Sequence, residues 1–238
     1  MRTRRRRLSG MVTEVETLVS RAGELARGQR RTILGIVGPP GGGKSTLAQT
    51  VVTAIGSAAV LVPMDGFHLA QAELVRLGRR HRMGAPDTFD ALGYIALLRR
   101  LRDRTEEVVY APEFRREIEE PIAGAIAVPR EASLVVTEGN YLLVPDEPWA
   151  GVRPLLDECW YAEIDEATRL RWLIQRHVEY GKTPQAARAW VHRSDESNAA
   201  VVAATCSRAD VVVRLRPGPP ASAAPAPPRR RPNETQFR

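Results

Sequence analysis

The sequence predicts an α/β fold: a three-layer α/β/α domain built around a mostly parallel sheet. Three observations lead there. Short apolar runs without polar alternation recur at residues 32–37, 59–63, 133–137, 159–164 and 211–215, the pattern of strands buried on both faces. Segments with helical spacing of apolar residues separate most of these runs. A glycine-rich loop joins the first run to the helix that follows it.

The elements follow in order. Residues 11–27 carry Val12, Val15, Leu18, Val19, Ala22 and Leu25 on one helical face, and Gly28 is a plausible stop. Strand 32–37 leads through the glycine loop into a helix over 44–55, and 59–63 reads as the second strand. A helix is expected over 89–102, with Asp87 or Asp90 as its cap and Leu92, Ile95, Leu98 and Leu101 facing inward. Residues 108–118 and 122–128 are extended candidates for a flap. After strands 133–137 and 159–164 comes a helix from 165 to about 180. Thr183-Pro184 is a good helix opening, because proline is tolerated in the first turn, and that helix is expected to run to about residue 206. Strand 211–215 closes the sheet.

The formal charge is +7, but its placement argues against nucleic-acid binding by the body. Residues 2–7 hold five arginines and residues 217–238 are net +3, which leaves the remainder near −1. We therefore expect a disordered basic segment over 1–10, one domain over 11–216, and a disordered tail rich in proline, alanine and arginine over 217–238. The chain has 33 arginines and two lysines, Lys44 and Lys182, so a lysine here is an unusual choice. Cys159 and Cys206 are isolated, which fits a reducing cytoplasm rather than a disulfide framework. No apolar run reaches the ~18 residues of a membrane span, and Glu14 and Glu16 interrupt any signal-like core. No membrane partner is expected. The oligomeric state is open, a homodimer included.

The loop reads Gly38-Pro39-Pro40-Gly41-Gly42-Gly43-Lys44-Ser45-Thr46, which fits G-x-x-x-x-G-K-[ST] at every position. Glycines let the backbone curl so that successive N–H groups face phosphate oxygens, and the helix start adds its dipole. Lys44 can reach the β- and γ-phosphates and Ser45 can ligate Mg²⁺. The fold class is thus that of the P-loop NTPases, with ATP and Mg²⁺ as expected cofactors. The N-K-x-D motif of guanine-specific enzymes is absent. Asp65 follows the second strand, where a parallel sheet faces its ligand crevice. It is placed to accept a proton from a hydroxyl, or else to cap the residues after it.

Four motifs occur in order: the P-loop, Met64-Asp65-Gly66-Phe67-His68, Pro86-Asp87-Thr88-Phe89-Asp90 and Glu138-Gly139-Asn140-Tyr141. Together they resemble the phosphoribulokinase/uridine kinase superfamily, pantothenate kinase type included, over roughly residues 11–216. The likeness is strongest to its nucleoside/nucleotide kinase-like or fructose-transport-system kinase branch. The resemblance implies ATP-dependent phosphorylation of a hydroxyl on a small metabolite. It implies Asp65 as catalytic base and Glu138 as the acidic residue near Mg²⁺. Phe67, His68, Asp87 and Asn140, which lie within these motifs, become candidate acceptor contacts. So do Tyr110, Phe114 and Arg115, where family members bind the acceptor. The chain departs from uridine kinases at Ala85, where they tend to carry histidine, and at His68, where tyrosine is usual, so the acceptor stays open.

The family also places lid arginines near residues 166–182. Arg169 and Arg176 are seven apart and share a helical face, with Arg171 roughly opposite. Arg171 and Arg176 are the candidates for closing on the phosphates. His81, His177 and His192 show no metal-ligand spacing and read as structural or surface residues. Asp195 and Asn198 share a face, to touch a ligand or only solvent. Two rivals remain: an NTPase that couples hydrolysis to a partner protein, and nucleic-acid binding through the basic termini.

Overall fold

The computed structural model describes residues 15–216. The expectations for 1–10 and 217–238, and for a first helix starting at 11, lie outside the described residues. The chain runs α1 (Val15–Ala26), β1 (Thr32–Val37), α2 (Lys44–Ile55), β2 (Ala59–Leu61), α3 (Gln71–Arg76) and α4 (Ala91–Asp103). It continues with β3 (Val108–Arg115), β4 (Glu120–Pro129), β5 (Leu134–Gly139), β6 (Glu158–Glu163), α5 (Glu166–Glu179), α6 (Pro184–Trp190), α7 (Glu196–Ala203) and β7 (Val211–Arg214).

Five strands form one parallel sheet in the order β2-β5-β1-β6-β7. Strand alternation separates its two faces. Ile33 and Val37 of β1 point into a core completed by α4, Val109 of β3, Val128 of β4 and the 141–156 segment. Leu34 and Ile36 point into the other core, filled by α1 and α2. Both faces are thereby covered, which is why these strands read as unbroken apolar runs. A buried polar relay pins α4 to the sheet. The Tyr94 hydroxyl meets Thr137 Oγ1 at 2.6 Å, and Thr137 donates to the Val62 carbonyl at 2.6 Å. Asp90 is the N-cap of α4, accepting from the Gly93 N–H at 2.8 Å; Asp87 is not.

The flap candidates at 108–129 are extended as expected and pair with each other as an antiparallel hairpin outside the main sheet. One expectation needs correction. The helix expected from 183 to about 206 is interrupted by a π turn at Val191–Asp195. Such a turn inserts a residue into the helical ladder and re-aims the side chains beyond it. Here Ser194, Asp195 and Asn198 end up buried.

Candidate active site

The strand order decides what meets at the sheet's C-terminal edge. β2, β5 and β1 are neighbours, so the segment after β2, the end of β5 and the loop after β1 lie side by side. These carry Asp65, Glu138 and the P-loop. The crevice beyond strand ends is where open parallel sheets bind ligands. A cavity of about 520 Å³ occupies it, lined by Lys44, Ser45, Asp65, His68 and Asn140 among others. That volume suits a small ligand.

The P-loop curls because two of its glycines, Gly41 (φ 76°) and Gly43 (φ 78°), adopt left-handed backbone. Gly41 through Thr46 line a groove at the start of α2 together with Trp172, Leu173 and Arg176. Gly38 is tight for another reason: a Cβ there would lie 2.9 Å from the Ala162 carbonyl oxygen of β6. Lys44 is buried, and desolvation lowers its pKa against the pull of Glu138 and Asp65. Ser45 Oγ donates to Glu138 Oε1 at 2.9 Å. Burial, with repulsion from Asp65, holds Glu138 above the usual carboxylate range despite Lys44. A hydroxyl and a carboxylate in contact at the mouth of a phosphate loop are hard oxygen donors, the set that Mg²⁺ takes. The residues present therefore fit the cation.

Asp65 lies in a 3-10 turn, Met64–Phe67. Three residues per turn stack i on i+3. Met64 and Phe67 therefore face the core, Phe67 against Tyr94 at 5.2 Å between ring centroids, while Asp65 and His68 face the cavity. Gly66 is required by the hairpin: a Cβ there would stand 2.3 Å from the Pro112 carbonyl oxygen. Arg116, just past β3, reaches Asp65 at 3.1 Å. Burial pushes Asp65 upward, but the cations around it win and hold it below the usual carboxylate range. His68 leads those cations, followed by Arg116, Lys44 and Arg176, although burial holds the His68 pKa down in turn.

Several expected contacts sit elsewhere. Asp87 is engaged by Arg82 and Arg79 in the turn before α4 and does not line the cavity; Phe89 of the same motif does, 4.0 Å from His68. Tyr110 is 59% exposed on β3. Arg115 turns to Glu113, because strand alternation gives the cavity to Phe114 and Arg116 on either side of it. Phe67 is half-buried and packs against the core. Arg171 is an exposed residue held by Thr168 at 3.2 Å, on the far face of α5. The face that meets the P-loop carries Arg169, Leu173 and Arg176. Arg169 is buried, pairs with Glu196 of α7 at 2.7 Å, and leans on the Pro40 carbonyl. Arg176 lines both the P-loop groove and the cavity.

Other lining residues were missed. His177 and His81 face the cavity rather than serving only the surface; His177 Nε2 meets Asp195 Oδ2 at 2.8 Å. Asp195 and Asn198, expected to touch a ligand or only solvent, both line it, and so does Lys182, which was not foreseen. The scarcity of lysine was the one sequence signal for Lys182. Nothing in the sequence pointed to Arg116 over Arg115.

A family model described as "Phosphoribulokinase / Uridine kinase family" matches residues 33–218. The chain belongs to that family. It is a family of ATP-dependent phosphotransferases that act on hydroxyl groups, and this chain is an enzyme of that class. A Schizosaccharomyces pombe protein described as a candidate uridine kinase is 33% identical over 85% of this chain and 91% of its own length. Escherichia coli YggC, described as uncharacterized, is 33% identical over 79% of each chain. The crystal structure of a Silicibacter sp. TM1040 protein, described as a candidate fructose transport system kinase, matches with a TM-score of 0.75 and 32% identity, covering 84% of this chain and 98% of that one. No helix among the described residues is long and apolar enough to cross a membrane.

Proposed function

We propose that this family member transfers the γ-phosphoryl group of ATP to a hydroxyl of a small metabolite: a nucleoside, a sugar or a pantothenate-like alcohol. The observation that carries the reading is Asp65, an ionised carboxylate facing the same cavity as the P-loop lysine. A hydrolase that uses water alone has no need of a base aimed at an acceptor alcohol.

In this reading the acceptor hydroxyl sits between Asp65 and the γ-phosphate. As its oxygen attacks phosphorus, its proton passes to Asp65, and the bond to the β-phosphate oxygen breaks. Arg116 keeps the carboxylate oriented and ionised. Lys44 and Arg176 meet the charge that develops on the transferring group. Ser45 and Glu138 would hold Mg²⁺, which when bound neutralises phosphate charge. The segment 166–182 serves as the lid through Arg176, with Arg169 fixing α5 to the P-loop and α7. A low-pKa base suits a loose transition state that asks little of proton abstraction.

The test is ATP turnover with Mg²⁺ over a panel of nucleosides, sugars, sugar phosphates and vitamin precursors. Acceptor-dependent ADP release with a phosphorylated product is expected. Brisk hydrolysis that no acceptor changes would replace this reading with the coupled NTPase.

A further inference from the structure

Of 35 basic residues only two are lysine, and both line one cavity. The P-loop explains Lys44. It does not explain Lys182, which follows α5 and does not line the P-loop groove. The Lys182 ammonium lies 5.0 Å from the centroid of the Trp190 ring. An aromatic face fixes a cation in place without neutralising it, and the N–H donors stay available. The other cations of the cavity have work. Arg116 pairs with Asp65, Arg80 donates to Gln71 Oε1 at 2.9 Å, and Lys44 and Arg176 flank the groove. Among the described residues no carboxylate lies within ion-pair distance of Lys182. Asn140 also lines the cavity, and its Oδ1 is buried without a hydrogen-bond partner. A buried acceptor without a donor is costly, and a turn of the amide toward the cavity would let a ligand hydroxyl satisfy it.

Resting on the kinase reading, we propose that the acceptor is a hydroxylated anion, with a carboxylate or phosphate remote from the hydroxyl that is phosphorylated, and that Lys182 binds this anionic group. Asn140 reads a hydroxyl of the same molecule. A neutral acceptor would leave the half-buried Lys182 charge to solvent and make no use of it.

Having two lysines makes the test direct. The full chain is acetylated with a limiting amine-reactive ester, and Lys182 is followed by peptide mass spectrometry. The probes are matched sets: glycerol, glycerate and glycerol 3-phosphate; ribose, ribonate and ribose 5-phosphate. At least one charged member should slow Lys182 acetylation several-fold over its neutral counterpart, and the carboxylate and phosphate arms separate the two sources. ATP with Mg²⁺ alone should not protect Lys182. With that charged acceptor, Lys182→Gln should raise KM about 10- to 100-fold with kcat little changed, and Lys182→Arg should recover part of the loss. No difference between charged and neutral members overturns the proposal. So does protection by ATP alone, or a Lys182→Gln effect confined to the KM for ATP. Failure of the kinase reading looks different: no acceptor-dependent ATP consumption, with the protection of Lys182 by anions intact.

Discussion

Replacing Asp65 by asparagine keeps the shape of the side chain and removes its charge and basicity. The carboxylate is 26% exposed, contacts Arg116 at 3.1 Å, and is held below the usual carboxylate range, against burial, by His68, Arg116, Lys44 and Arg176. If it takes the acceptor proton, its loss should lower kcat by about 10²- to 10⁴-fold, the range for a positioned base. ATP should bind Asp65→Asn no more weakly than wild type, because an anion has left the neighbourhood of the polyphosphate. The wild-type pH profile carries the same logic. Since Asp65 titrates below the usual carboxylate range, kcat/KM should stay level between about pH 6 and 8, with no acid limb near the ~6.5 of a free histidine. The stability sign agrees. A carboxylate with a depressed folded pKa stabilises the fold above its unfolded pKa, and this is lost as pH falls through the folded value. Asp65→Asn should therefore flatten the acid side of the stability curve. The assays are steady-state turnover with acceptor, ATP binding by calorimetry, and melting temperature against pH. Turnover of Asp65→Asn near wild type, or collapsed ATP binding with intact chemistry, would refute the base assignment.

Arg176→Ala should cut kcat about 10²-fold or more, whereas Arg171→Ala, on the far face of α5, should change turnover less than about twofold; equal losses would show that α5 rotates on closure. Glu138→Gln should raise the Mg²⁺ concentration for half-maximal activity about 10- to 100-fold. Because burial already disfavours the Glu138 charge, the melting temperature at pH 8 should not fall; a fall would mean the charge is stabilising in the fold. Gly66→Ala should cost about 1–3 kcal/mol and reduce turnover, since the new Cβ collides with the Pro112 backbone; unchanged melting and kinetics would show that the hairpin moves freely off Asp65.

Much of the frame was legible because its signals are local. The parallel sheet announced itself through apolar runs, since strands covered on both faces have no polar alternation. The P-loop is contiguous, so Gly41, Gly43, Lys44 and Ser45 are read from spacing alone. Asp65 and Glu138 were legible as residues just past, or at the end of, strands. That they meet the P-loop depends on β5 inserting between β1 and β2, which the sequence order does not state.

What only the tertiary structure decided is which neighbour of each candidate faces the ligand. A 3-10 turn sends His68 to the cavity and Phe67 to the core. The alternation of β3, carried into the turn that follows it, selects Arg116 over Arg115. The pitch of α5 on the P-loop selects Arg176 over Arg171, and a π turn swings Asp195 and Asn198 inward. Each outcome turns on how an element is rotated about its own axis. That rotation is fixed by what the element packs against, through contacts between residues far apart in the chain.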